Sequence, residues 1–155
     1  MVEKLPTMKK QEIKDLITDG MLCRIAFKGD KYPYIAPFQY VYMNDALYFH
    51  FTDYGRKMKL LASDNRVCVE IEKLQPDLSE YYFVSLRGNL HLVADPEERA
   101  KAIRKMNEAG QQKLSHNFLA AHGLKREEGW SSFTPDQPLV IVKLDIIEEV
   151  GIKSP

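Results

Sequence analysis

Val67, Val69 and Ile71 alternate with Cys68, Glu70 and Glu72. A period of two marks an extended strand with one buried face. Most of the chain repeats this theme. Met21 to Phe27 reads as a strand that turns at Lys28-Gly-Asp-Lys31, and Tyr34 to Tyr42 reads as its return. Asn44-Asp45 makes the turn into a strand ending at Thr52, and a break around Pro76 precedes a long strand from Tyr81 to Val93. Gly88 within that strand predicts a bulge or a close backbone approach. Leu139 to Leu144 is almost continuously apolar, which predicts burial on both faces.

Helical patterns are confined to the corners. Thr7 is expected to cap a helix with Met8, Ile13, Leu16 and Ile17 on one face, closed by Gly20. Another helix runs from Pro96 to Ala109 and ends at Gly110, and a further helical stretch covers about Gln111 to Ala121 and ends at Gly123. Five or six antiparallel strands with helices between them predict a mainly β fold of α+β type. The expected architecture is a small closed or split β-barrel forming one domain over residues 1–155.

Composition narrows the partners. Lys plus Arg and Asp plus Glu are 22 each, so no net field attracts nucleic acid or an anionic membrane. No apolar run approaches the roughly 20 residues needed to span a bilayer, and Met-Val-Glu-Lys-Leu-Pro-Thr lacks an apolar signal core. Cys23 and Cys68 lie in strand-like runs without CxxC spacing and read as small buried residues of a reducing compartment. The expected location is the cytoplasm.

One helix start breaks the rules that another obeys. The helix opening Asp95-Pro-Glu-Glu-Arg has a cap, a proline and two acids in its first turn, as a solvated start should. Tyr54-Gly-Arg-Lys-Met-Lys-Leu-Leu-Ala-Ser63 instead puts Arg56 and Lys57 where free N–H groups already carry positive charge. Two readings stand. Either the cations await an anion, with phosphate the usual one, or they splay into water as surface cations commonly do.

Other motifs are missing. There is no GxxxxGKS, GxGxxG or GxSxG pattern. His116 and His122 lie six apart, unlike metal ligands at i and i+4, so no metal site is expected. His91 reads as a solvated or core-edge residue. Alternation places His50 opposite Phe49 and Phe51, two residues before Thr52. It is either a residue near the anion or a strand histidine satisfied by the backbone.

Four segments, taken in order, carry a resemblance. They are Pro33-Tyr-Ile-Ala-Pro-Phe-Gln-Tyr-Val-Tyr42, Leu47-Tyr-Phe-His-Phe-Thr52, Gly55-Arg-Lys-Met-Lys-Leu-Leu61 and Asn65-Arg-Val-Cys-Val-Glu70. Leu86-Arg-Gly-Asn-Leu, Asp95-Pro-Glu-Glu-Arg and Gly151-Ile-Lys153 continue it, and it fades between Gln111 and Gln137. Together they resemble the pyridoxamine 5'-phosphate oxidase-like flavoproteins, particularly the branch of nitroimidazole-resistance reductases.

The resemblance implies an FMN-binding split β-barrel that forms a homodimer, with flavin mononucleotide (FMN) between the subunits. By position, Arg56 and Lys57 would hold the cofactor phosphate, with Thr52 donating a hydroxyl. His50 and Phe51 would lie along the ribityl chain. Ile35, Ala36, Pro37 and Phe38 would run beside the isoalloxazine ring. Gly55 replaces a serine common in that family, which changes one contact and opens the backbone to a closer approach. The vitamin-forming oxidases carry a longer C-terminal segment with substrate-phosphate residues. The chain from Gly151 to Pro155 shows none, so pyridoxamine phosphate oxidation is not expected.

Three functions follow from the resemblance. The first is an FMN-dependent oxidoreductase that takes electrons from a nicotinamide donor for a small-molecule substrate. The second is a relative binding haem, with His50 as an axial ligand, or a deazaflavin. The third is a non-enzymatic flavin carrier or sensor. Tyr34, Phe38, Tyr40 and Tyr42 alternate onto one face suited either to a dimer contact or to a barrel core. Trp130 is placed either over the cofactor or as an anchor beneath its own loop.

Overall fold

The computed structural model describes residues 1–155. It contains one seven-stranded antiparallel sheet. In chain order the elements are α1 (Lys10–Asp19), β1 (Leu22–Phe27), β2 (Tyr34–Gln39), β3 (Val41–Met43), β4 (Ala46–Phe51), α2 (Arg56–Ser63), β5 (Arg66–Leu74), β6 (Tyr81–Leu92), α3 (Pro96–Lys113) and β7 (Val140–Lys153). Three short 3-10 turns, His116–His122, Arg126–Glu128 and Trp130–Ser132, lie between α3 and β7. The strand order is β2-β1-β5-β6-β7-β4-β3.

The extra strand arises because the expected Tyr34–Tyr42 strand divides at Tyr40. Tyr40 leaves the ladder, donates its backbone N–H to the Met21 carbonyl at 2.9 Å and its hydroxyl to the Ile17 carbonyl at 2.7 Å. The chain thereby crosses from one edge of the sheet, β2, to the other, β3. Pro37 sits in the edge strand, where its missing N–H breaks no interior ladder.

The sheet curls until its edges nearly meet. Phe38 of β2 packs against Phe51 of β4 with ring centroids 5.0 Å apart, and against Phe49 at 6.3 Å. These strands are not hydrogen-bonded neighbours, so aromatic side chains close the barrel where the backbone leaves it split. Phe27, Phe49 and Phe51 are fully buried within it, each contributing roughly 1.5–3 kcal/mol by leaving water. The aromatic row of β2 and β3 belongs to this interior: Tyr40 is a core residue, and Tyr34, Phe38 and Tyr42 pack against the core.

A second core lies outside the barrel wall. All six residues of β4 are buried because the strand is covered on both sides. Leu47, Phe49 and Phe51 enter the barrel, while Tyr48 and Ala46 face a cluster formed with Ala102, Ile103 and Met106 of α3 and with Trp130 and Phe133. Leu139 and Ile141 join that outer cluster as Val142 and Leu144 join the inner one. The both-faces reading of this run therefore holds, although β7 continues to Lys153 to pair with β6.

Several local expectations need correcting. Thr7 forms an isolated bridge to Ile152; Lys9 precedes α1, and its N–H is satisfied by Glu12 Oε1 at 2.9 Å. Gly110 does not end a helix. It lies buried inside α3, where a Cβ would stand 2.3 Å from the Trp130 ring, so the glycine provides room for the indole. The helical stretch expected over about Gln111 to Ala121 is divided between the end of α3 at Lys113 and a 3-10 turn over His116–His122. Cys23 is buried but Cys68 is exposed. Alternation puts Cys68 outside with Glu70, a stronger determinant than the thiol's ordinary preference for the interior. Gly88 does mark a bulge: Arg87 pairs with Glu148 and Gly88 with Ile146, leaving Ile147 extra.

Candidate functional site at the barrel seam

The seam between β2 and β4 opens into a cleft of about 160 Å3. Tyr34, Ala36, Pro37, Phe38 and Gln39 form one wall, His50 and Lys57 another, and Phe118, Ala121 and His122 of the first 3-10 turn complete it. Ala36, Pro37, Phe38, His50 and Lys57 had been singled out in the sequence. Ile35 is 60% exposed and does not line the cleft, and Phe51 points into the barrel core. Thr52 and Arg56 do not line the cleft but touch residues that do, Thr52 through Lys57 and Arg56 through Tyr34.

The start of α2 is built without an internal counter-charge. Its cap is Gly55, with φ of 96°, and no side chain caps the helix or places an acid in its first turn. That φ favours glycine, and nothing lies within 4 Å of where a Cβ would project. Lys57 reaches back to Thr52 Oγ1 at 2.8 Å, and Arg56 lies over the Tyr34 ring at 5.6 Å. Burial pushes the Lys57 ammonium below its usual pKa. Two cations and a helix start thus lie together beside the cleft, an arrangement that attracts an anion.

Deeper in, two histidines meet edge to edge. His50 Nδ1 lies 3.0 Å from His122 Nδ1, and His122 Nε2 lies 2.6 Å from Gln39 Oε1. Gln39 Nε2 donates to the Met106 carbonyl at 3.5 Å. Phe133 packs on both imidazoles, while Phe118 and Trp130 pack edge-on against His122. Burial, the neighbouring His122, Lys57 and Arg99 together push His50 down to about 3. Burial pushes His122 down to about 4. Both rings are neutral at pH 7.

Trp130 is 2% exposed, donates its indole N–H to the Ser115 carbonyl at 3.3 Å and does not line the cleft. It is the anchor beneath the loop, and it supports His122 from behind. His91 is exposed and pairs with Asp145 at 3.1 Å, as a solvated strand residue should.

His122, Gln39 and Phe118 were missed in the sequence. Helical spacing treated His122 only as a partner for His116, whereas its actual partners are 72 and 83 positions away. Gln39 offered a faint signal as the lone amide in Pro37-Phe-Gln-Tyr-Val41.

Comparison with known proteins agrees with this architecture. The sequence profile described as pyridoxamine 5'-phosphate oxidase matches residues 9–129. Among solved structures, an FAD-binding protein from Mesorhizobium loti superposes with a TM-score of 0.72 at 18% identity, covering 97% of this chain and 99% of its own. A candidate 5-nitroimidazole antibiotic resistance protein from Bacteroides thetaiotaomicron gives 0.61 at 22% identity, covering 99% and 93%. An FAD and haem binding protein from Mycobacterium smegmatis gives 0.63 at 16%, covering 94% and 71%. No curated protein matches the sequence. The profile match spans most of the chain, and the curled split sheet is the fold of these neighbours, so the protein belongs to the pyridoxamine 5'-phosphate oxidase family.

Proposed function

We propose that the seam cleft binds a flavin, FMN in particular, and that the protein is a flavin-dependent oxidoreductase. The observation that carries this reading is the anion corner. Arg56, Lys57 and Thr52 converge on a helix start with no acid and no side-chain cap, beside a cleft lined by β2. A phosphate fits there, because it supplies the counter-charge that half-buried Lys57 lacks and accepts from the helix N–H groups. The neighbours described as binding FAD support a flavin as the ligand, without distinguishing FMN from FAD.

In this reading Lys57 and Arg56 hold the phosphate and Thr52 donates its hydroxyl to it. His50 faces the ribityl chain, and the backbone of Ala36, Pro37 and Phe38 borders the ring. A bound flavin supplies hydride acceptance from a nicotinamide donor and electron delivery to a second, small substrate; the protein supplies position and electrostatics. Phe38, Phe118 and Tyr34 give that part of the seam an apolar surface.

The cleft in one chain, about 160 Å3, is smaller than the roughly 300–1,000 Å3 typical of sites that enclose a whole ligand. This supports a homodimer in which a second copy provides the missing wall. No helix is long and apolar enough to cross a membrane, and a cytoplasmic location completes the proposal.

The absorption spectrum of the purified protein tests the ligand. Flavin bands, or quenching of added FMN fluorescence, support the reading. A Soret band that shifts in His50→Ala identifies a haem site instead, the alternative favoured by the FAD and haem binding neighbour. Flavin that stays oxidised under anaerobic nicotinamide donors removes direct donor-dependent reduction. Sedimentation equilibrium showing only monomer at micromolar concentration removes the dimer.

A further inference from the structure

The hydrogen-bond chain behind the cleft has a direction. The Met106 carbonyl can only accept, and Gln39 turns its amide nitrogen toward it, in a long contact of 3.5 Å, and its oxygen toward His122 at 2.6 Å. That oxygen accepts, so His122 carries its proton on Nε2. In a neutral ring the other nitrogen, Nδ1, is then an acceptor. It faces His50 Nδ1 at 3.0 Å, so His50 carries its proton on Nδ1. The remaining nitrogen, His50 Nε2, is left with a lone pair.

That lone pair opens onto the cleft. Every fully buried side-chain nitrogen or oxygen has a hydrogen-bond partner, and His50 Nε2 has none, so it retains contact with solvent. His50 lines the cleft together with Lys57. Burial keeps both rings neutral, with Lys57 and Arg99 adding to the effect at His50, so the direction of the chain persists at neutral pH.

We propose that Gln39, acting through His122, is a positioning residue that fixes His50 as its Nδ1–H tautomer, so that His50 Nε2 accepts a hydrogen bond from a hydroxyl of a phosphorylated polyol held in the cleft. The ligand half of this proposal rests on the flavin reading, whose ribityl phosphate is such a group; the tautomer half stands on the hydrogen-bond geometry and the burial of both rings, without reference to flavin. A lysine able to hold a phosphate and a histidine able to accept from a hydroxyl line one small cleft. Together they select a chain carrying both groups.

Gln39→Glu reverses the direction. A carboxylate against His122 Nε2 draws a second proton onto His122, and the imidazolium then donates from Nδ1 to His50 Nδ1. His50 must shift its proton to Nε2, and the cleft loses its acceptor and gains a donor.

The test is long-range proton–nitrogen NMR of the histidine rings in cofactor-free protein at pH 7. The expected pattern is Nδ1–H on His50 and Nε2–H on His122, with both rings neutral. Any other tautomer, or a charged ring, overturns the proposal without reference to flavin. In Gln39→Glu the His50 proton should move to Nε2; an unmoved proton overturns the positioning role. FMN affinity should then fall about three- to tenfold, the equivalent of one ordinary hydrogen bond, with the ratio of FMN to riboflavin affinity unchanged because the phosphate corner is intact. Unchanged FMN affinity in a variant with the reversed tautomer overturns the ligand half. Wild-type protein with the expected tautomers but no flavin affinity overturns the flavin reading and the ligand half, and supports the positioning role. If Gln39→Glu does not fold, the wild-type spectrum still decides the tautomers.

Discussion

His50 and His122 come from β4 and from the 3-10 turn after α3, yet their Nδ1 atoms stand 3.0 Å apart in a buried aromatic enclosure. Folding brings together two groups that would each bind a proton in the unfolded chain near pH 6.5. In the folded protein they do so only at about 3 and about 4. Between those values the unfolded state binds more protons, so this contribution to stability is present above about pH 6.5 and is lost as pH falls toward 4 and 3. Each histidine should weaken the fold by on the order of 2 kcal/mol at pH 5 relative to pH 7. Urea unfolding at the two pH values measures this, and His122→Asn should flatten the dependence.

Arg56→Ala with Lys57→Ala should weaken FMN binding by about 1.5–3 kcal/mol for each charge-assisted bond lost. Riboflavin, which has no phosphate, supplies the control. The variant should bind riboflavin almost as the wild type does, so the preference for FMN collapses. Equal preference before and after would return both cations to the solvated surface. Fluorescence titration of the two flavins separates the outcomes.

Gly110→Ala poses two effects against each other. Alanine is favoured over glycine inside a helix by about 1 kcal/mol. The new Cβ would meet the Trp130 indole at 2.3 Å, and overpacking of a core costs typically about 1–3 kcal/mol. The indole is rigid and packed edge-on against Phe133 and His122, so the clash should win and the variant should be less stable by up to about 2 kcal/mol. Denaturant unfolding followed by Trp130 fluorescence reads both the sign and the disturbance at the ring.

Arg99 ties α3 to the chain entering β7. Its guanidinium donates to the carbonyls of Pro135 at 2.8 Å, Gln137 at 2.7 Å and Leu139 at 3.0 Å. Lysine keeps the charge but cannot present the planar fork. Arg99→Lys should cost about 1–3 kcal/mol by leaving partly buried carbonyls without donors. Hydrogen exchange should rise first at Val93, whose N–H pairs with Ile141 beside this segment.

The strands, the turns at Asn44-Asp45 and Lys28–Lys31, the bulge at Gly88 and the abnormal charge at the start of α2 were legible from the chain alone. All are local: a period of two, a positive φ or a helix end depends on residues within a few positions. The opposite facing of His50 and Phe51 followed from the same period. The alternation also carried the exposure of Cys68, which the thiol's usual preference for burial concealed.

Other features required the closed sheet. Gly110 reads as a helix stop until Trp130, 20 positions later in the sequence, is seen to need its space. Splitting of the Tyr34–Tyr42 run depends on Met21 and Ile17, which take the Tyr40 polar groups as the chain changes edges. Above all, the cleft is made where β2 and β4 approach without pairing, and its histidine chain joins Gln39, His50 and His122 across separations of 72 and 83 residues. Sequence determined which segments extend, which form helices and where two cations stand at a helix start with no acid in its first turn, because those are short-range properties of the backbone. The tertiary structure alone decided which polar groups share a buried enclosure and hence which nitrogens pair with one another, because hydrogen-bond direction is set by partners that only folding brings within reach.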